Sequence, residues 1–306
     1  MALDLREASF ERRGFATSDE STRLRLEGIG RTFILGYNAA LNTEGFVSLS
    51  RTLDRTPEAD RGFAFEGAAM ALTLLDLITP WRRHRLKDFL DGPAREHLYL
   101  ATVGAGWALA RLRQGQHRIL RGLDPLLHWL AFDGYGFHEA YFRPETTFQA
   151  HARPRALDGY ALRVFDQGVG RGLWFASGAN IERIDRCVAG FPTERRADLW
   201  SGLGLAAAYA GGADAVQLSL LRARAGDYNR DLAQGAAFAA KARERAASPA
   251  AHTDLACRIF CNCGAMIAAK ATDDALEGLR GTPDTPDYEI WRRRIRDRIS
   301  SEAGVP

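Results

Sequence analysis

The sequence predicts an all-α protein. The expected form is an α-solenoid, a tetratricopeptide-like array of about seven helical hairpins with a period near 34 residues, with room to close around a cavity. Three observations lead there. Glycines recur on a beat: Gly136, Gly170 and Gly204 stand 34 residues apart, as do Gly134, Gly168 and Gly202, and Gly235 follows 33 later. Gly67, Gly104, Gly106 and Gly264 extend the series more loosely. A fixed period of this size marks stacked supersecondary units. Long stretches rich in Ala, Leu, Arg and Glu have helical period. No run rich in Val, Ile and Thr alternates as a strand would.

In chain order, the periodicity predicts helices over 21–42, 63–77, 94–113, 123–133, 157–176, 180–189, 194–210, 213–224, 229–246, 249–269 and 287–300. Breakers fall where hairpins must turn, at Pro80, Pro93, Pro144, Pro154, Pro192, Gly211-Gly212 and Pro249. The segment 143–156 reads as the longest internal loop. Residues 1–20 read as an N-terminal arm and 299–306 as a tail, both frayed, around one helical-repeat domain over 21–298.

Gross composition narrows the function classes. Hydrophobic residues make up 46% of the 306, which supports a large core. The net charge of +3, from 41 basic and 38 acidic residues, argues against a nucleic-acid binder. Basic clusters at Trp81–Arg85 and Trp291–Arg296 read as solvated helix faces, with peripheral membrane contact as the lesser reading. No apolar window is long enough to span a bilayer. The acidic and basic N-terminus has no signal-peptide core. Four cysteines in so long a chain make no disulfide framework, so the protein is expected to be bacterial in type, cytoplasmic and reduced. Cys257, Cys261 and Cys263 match no metal-site spacing and read as small buried hydrophobes.

Aligned on the beat, the residue before each glycine is Glu66, Val103, Asp133, Gln167, Ser201, Gln234 and Cys263, a mostly polar column. Three positions after it stand Ala69, Gly106, Gly136, Gly170, Gly204, Ala237 and Met266, mostly small. Glycine inside a helix costs about 1 kcal/mol relative to alanine, so its recurrence implies that neighbouring backbones approach closely. Trp200-Ser201-Gly202-Leu203-Gly204 matches the signature that opens a tetratricopeptide unit. With the first helices on the concave face, the polar column is expected to border one shared groove.

Three acids sit beside the beat, each behind a phenylalanine: Phe65-Glu66, Phe132-Asp133 and Phe165-Asp166. An aromatic, low-dielectric setting can raise a carboxyl pKa and make it a general acid. The same acids could instead pair with Arg171 or Arg183 and lock the units together. His138 and Glu139 join Glu66, Asp133 and Asp166 as candidate catalytic residues, although a histidine among aromatics is more often a core residue. Phe65, Phe132, Phe137, Tyr141, Arg171, Trp174 and Trp200 are candidates for substrate contact. There is no HExxH, P-loop, nucleophile elbow or DDxxD box, and no metal or cofactor is expected.

The strings Arg61–Met70, Val103–Arg111, Phe132–Glu139, Phe165–Gly168 with Leu173–Phe175, Arg195–Gly202, Tyr209–Gly212, Gln234–Arg243 and His252–Cys257 resemble the domain-of-unknown-function 1702 family, bacterial proteins often labelled "enediyne biosynthesis protein". The likeness runs from about Phe10 to Arg296. It implies natural-product biosynthesis on a long, apolar, unsaturated skeleton and assigns no catalytic residue.

Two functions compete. One is a metal-free, cyclase-like enzyme in which one of the acids protonates a polyene or isoprenoid and aromatic faces stabilise the cation. The other is a non-catalytic repeat protein that binds a hydrophobic intermediate or scaffolds pathway enzymes. An enclosed aromatic pocket with acids pointing in favours the first, and an open wet groove the second.

Overall fold

The computed structural model describes residues 2–16, 19–79, 81, 84–112, 116–282 and 285–302, and is helical throughout apart from one isolated bridge, Thr282 to Thr285. A short α1 (Phe10–Arg13) precedes the long α2 (Glu20–Asn42) and the short α3 (Phe46–Leu53). Then come α4 (Glu58–Ile78), α5 (Arg85–Asp91), α6 (Leu98–Leu112), α7 (Gln116–Leu120) and α8 (Leu130–Phe142). The second half holds α9 (Gly159–Ala176), α10 (Ile181–Gly190), α11 (Thr193–Ala210), α12 (Ala215–Ala225), α13 (Asn229–Arg245), α14 (Ala251–Phe260), α15 (Ala265–Asp274) and α16 (Asp287–Glu302).

The long helices α2, α4, α6, α8, α9, α11 and α13 pack in that order, each on the next, with the shorter helices outside. They run parallel and in register. Asp133 meets Gln167 and Ser201 meets Gln234 near one level, while Ala140 faces Gly172 and Tyr209 meets Arg243 further along. The beat is the mechanism of this packing. A Cβ on Gly168 would lie 1.9 Å from the Asp133 carbonyl oxygen, and one on Gly134 2.0 Å from that of Val103. Gly104, Gly134, Gly168, Gly202 and Gly235 each sit on the backbone carbonyl of the column residue in the preceding helix; Gly67 sits on Phe33, and Gly264, which caps α15, makes no such contact. The second glycine, as at Gly136 on Phe165, repeats the contact toward the following helix. A side chain on either would force the helices apart.

The array closes on itself. Thr22 donates to the Gly212 carbonyl at 2.9 Å, Arg25 to Ala210 at 3.0 Å, and Arg243 to Ala59 at 2.5 Å, so the starts of α2 and α4 meet the ends of α11 and α13. The polar column therefore borders no open groove. Glu66, Asp133, Gln167, Ser201 and Gln234 are all buried and form an internal polar spine. Closure turns the concave face into a lumen, and α16 plugs the end of it at which α9, α11 and α13 begin. There Tyr288, Trp291 and Ile295 are buried, and Trp291 stacks on Phe238.

Several sequence expectations shift. The helix expected to end at 133 runs to Phe142, because Gly134 and Gly136 serve helix contact and not chain reversal. The helix expected over 249–269 breaks at Asn262, which has a positive φ of 57°. The tetratricopeptide signature at Trp200 lies in mid-α11 and does not open it. The N-terminal arm is docked over residues 2–16: Phe10 and Phe15 are buried, and the Phe10 amide donates to Glu27. Residues 17–18 of the arm, 303–306 of the tail, and Arg82 and Arg83 lie outside the described residues. The second basic cluster is solvated only in part, with Arg293 exposed. Arg292 falls on the buried stripe of α16 and donates to Asp198 at 2.8 Å and Gln234 at 3.1 Å. Cys257 and Cys261 are buried. No described helix is long and apolar enough to cross a membrane.

Candidate functional site

The half of the lumen walled by α2, α4, α6, α8 and α9 is hollow. Its cavity measures about 560 Å³, with Phe33, Phe63, Met70, Leu74, Trp107, Phe137, Tyr141 and Phe175 on its walls. It opens where α4 and α6 end, beside the partly exposed Ile78 and Leu112, and the N-terminal arm flanks it with Ala2, Leu3, Asp4 and Glu7. Glu66 stands at the closed end. It is twelve residues from Ile78 on α4, about 18 Å along that helix at 1.5 Å per residue.

Trp107 organises this wall. Its ring centroid lies 4.7 Å from that of Phe33 and 4.9 Å from that of Phe137, edge to face in the second case. Its indole N–H donates to Glu66 Oε1 at 3.0 Å. Glu66 Oε2 is buried and has no partner among the described residues. Burial in this aromatic surround pushes the Glu66 carboxyl up to about 7; Arg171 pulls the other way, Asp133 adds to the rise and the Trp107 bond opposes it. The group is thus a neutral carboxylic acid over much of the acidic range, with one oxygen unpartnered among the described residues.

The remaining candidates are placed differently. Asp133 is buried against Arg171 and accepts from Gln167 at 2.9 Å. This ion pair, with Arg171 stacked 4.7 Å from the Phe137 ring, floors the pocket without lining it. Beyond it the lumen is filled by Leu205, Tyr209, Phe238 and Trp291. Asp166 is sealed by Arg195 and Arg153, and Arg195 also reaches the His151 carbonyl at 2.7 Å. It anchors the 143–158 loop to α11. Asp166→Asn should therefore cost about 3–5 kcal/mol in urea denaturation, because it leaves Arg195 buried without its counter-charge. Glu139 holds Arg143 at 3.0 Å and His138 at 3.2 Å. His138 packs behind Trp107, and burial lowers its pKa. Asp133, Asp166, Glu139 and His138 are off the pocket wall, so Glu66 alone of the five candidate catalytic residues lines it.

Of the aromatic candidates, Phe137 and Tyr141 line the cavity. Phe65 stacks on His97 and Phe89, and Phe132 packs on Trp129. Trp174 donates to the Gly211 carbonyl at 3.0 Å, and Trp200 is buried elsewhere in α11. The reading by sequence missed Trp107, Phe33, Phe63, Phe142 and Phe175. A signal for Trp107 and Phe175 was present. Stepping four and eight residues on from the polar column gives Met70 and Leu74, Trp107 and Arg111, Phe137 and Tyr141, and Arg171 and Phe175, which is one helical face per repeat. All but Arg171 line the pocket.

Residues 1–299 match the family described as Protein of unknown function (DUF1702). The chain belongs to that family. No curated protein and no solved structure matches it. In this DUF1702 chain the match takes in every residue of the pocket wall, including the arm beside the mouth. Among the described residues no cluster of His, Cys, Asp and Glu is grouped to hold a metal ion.

Proposed function

We propose that the protein is an acid–base isomerase or cyclase of a long conjugated polyene, acting in natural-product biosynthesis, with Glu66 as the proton donor. The observation that carries this is the neutral Glu66 carboxyl, with one unpartnered oxygen, at the closed end of an aromatic pocket. In the proposed step Glu66 transfers its proton to a terminal carbon of the polyene, which forms an allylic cation and leaves the carboxylate. The faces of Trp107, Phe33 and Phe137 stabilise the cation. Loss of a proton from a neighbouring carbon back to Glu66 gives an isomer, or a ring after internal attack by a second double bond. The mass is unchanged and no co-reactant is consumed.

A carboxyl with a pKa near 7 is a weak acid for an isolated alkene. It suits a conjugated system, whose cation is delocalised, and its conjugate base readily takes a proton back. The aromatic and aliphatic pocket wall limits access of water to the cation. A peptide scaffold is less well supported, because closure of the array leaves no open concave groove. All four cysteines are free thiols, which suits a reducing, cytoplasmic setting.

The test is product analysis by mass spectrometry with linear conjugated polyenes in D2O. The expected product has the substrate's formula with one hydrogen exchanged for deuterium. Glu66→Gln should slow it by at least about 10²-fold. A Glu66→Gln protein that kept the full rate would remove Glu66 from the reaction.

A further inference from the structure

We propose that the pocket takes its ligand tail first and that the ligand is a long-chain amphiphile with a carboxylate head group held at the mouth by Arg111. The inference rests on the same pocket as the proposed function, but not on turnover.

Charge on the pocket wall carries it. Asp4, Glu7, Glu66 and Arg111 are the charged residues among those lining the cavity. Arg6 neutralises Asp4 at 2.7 Å, and Arg12 and Arg13 neutralise Glu7. Glu66 at the closed end is protonated up to near neutrality. Arg111, exposed in the last turn of α6, makes no hydrogen bond or ion pair among the described residues. The one uncompensated charge is therefore positive and stands at the open end. A guanidinium presents paired N–H donors that match the two oxygens of a carboxylate.

The rest of the pocket suits the other end of such a molecule. Ile78 and Leu112 form an apolar collar beside Arg111, and beyond them Leu74, Met70, Phe33 and Trp107 lead down to Glu66. An extended chain advances roughly 1.25 Å per carbon–carbon bond, so the span of about 18 Å along α4 from Ile78 to Glu66 matches about 14 carbons. A carboxylate bound by Arg111 would place the distal end of such a chain at Glu66.

The test is calorimetric binding of saturated fatty acids from about 8 to about 18 carbons, on the native protein and on Glu66→Gln. Affinity should rise about fourfold per methylene and level off near about 14 carbons. Tetradecanoate should bind about 10-fold more tightly than its methyl ester, consistent with one charge-assisted contact. Arg111→Gln should erase that preference and leave the ester's affinity and the melting temperature unchanged. Equal affinity of acid and ester, or an Arg111→Gln protein that still prefers the acid, would overturn the role of Arg111. Tighter binding of tetradecyl phosphate than of tetradecanoate would overturn the carboxylate. Affinity that keeps rising to about 18 carbons, or levels near about 8, would overturn tail-first insertion to Glu66. Saturated probes in the Glu66→Gln protein cannot react, so these outcomes are independent of whether the proposed isomerisation occurs.

Discussion

Gly168→Ala should cost at least about 3 kcal/mol of stability, or leave the chain unfolded. The added Cβ would lie 1.9 Å from the Asp133 carbonyl oxygen and 2.7 Å from the Phe137 amide nitrogen. Both obstacles are backbone, so no rotamer change relieves them. Helices α8 and α9 would have to separate, and the Gln167–Asp133 bond and the Asp133–Arg171 pair lie at that crossing. The intrinsic preference of a helix for alanine, about 1 kcal/mol, acts in the opposite direction and is too small to compensate. Gly28→Ala is the matched control. Gly28 is also inside a long helix, but a Cβ there meets nothing within 4 Å. It should gain about 0.5–1 kcal/mol. Urea denaturation of the two variants beside the native protein decides the matter. If both changed stability alike, close backbone contact would not be the reason for the glycine beat.

Glu66→Gln should make the protein more stable at pH 8 while removing its proposed chemistry. The folded carboxyl is pushed up to about 7 from an ordinary value of 4.5, chiefly by burial. Between those two values the folded state holds a proton that the unfolded state has released. Stability contributed by this group is thus full below about 4.5 and is lost as pH rises through about 7. The loss amounts to about 3 kcal/mol once both states are ionised. The groups that face Glu66 are Asp133, Arg171, Trp107 and Tyr209. Arg171 stays charged across this range, but burial lowers the pKa of His97, His128, His138 and His252, which makes stability rise with pH, so the Glu66 part is the difference between the native protein and Glu66→Gln. Glutamine keeps the shape and an acceptor for the Trp107 N–H and does not titrate. Measured by denaturation against the native protein, Glu66→Gln should gain about 2–3 kcal/mol between pH 5 and pH 8. A native protein with the same midpoint difference as the variant would show that Glu66 is ionised in the fold, which would also remove it as a proton donor. A residue kept where it lowers stability, at the end of an aromatic pocket, is what a functional acid would be expected to look like.

Much of the architecture was legible because a repeat writes its packing into the sequence many times over. The glycine phase in Val103-Gly104-Ala105-Gly106 and again in Asp133-Gly134-Tyr135-Gly136 encodes both sides of one helix contact. Less was legible of the short outer helices Phe46–Leu53 and Arg85–Asp91, which span only about two turns each. The N-terminal arm and Arg292 were misread for a shared reason. Each looks polar in sequence and is buried by a partner remote in the chain, Glu27 for the Phe10 amide and Asp198 for Arg292.

The sequence by itself determined an all-helical repeat, its register and the shortlist of acids beside the glycines, because these depend on local period and on contacts repeated from one unit to the next. Only the tertiary structure decided which acid is a candidate. Glu66, Asp133 and Asp166 share one local setting, a phenylalanine before and a glycine after or near. Asp133 and Asp166 receive arginines from neighbouring units, while Glu66 receives, among the described residues, only the Trp107 N–H and lines the pocket. Whether a buried carboxyl meets a cation or a cavity is set by where the array closes, and closure depends on contacts such as Thr22 with Gly212, 190 residues apart. No local period carries that information.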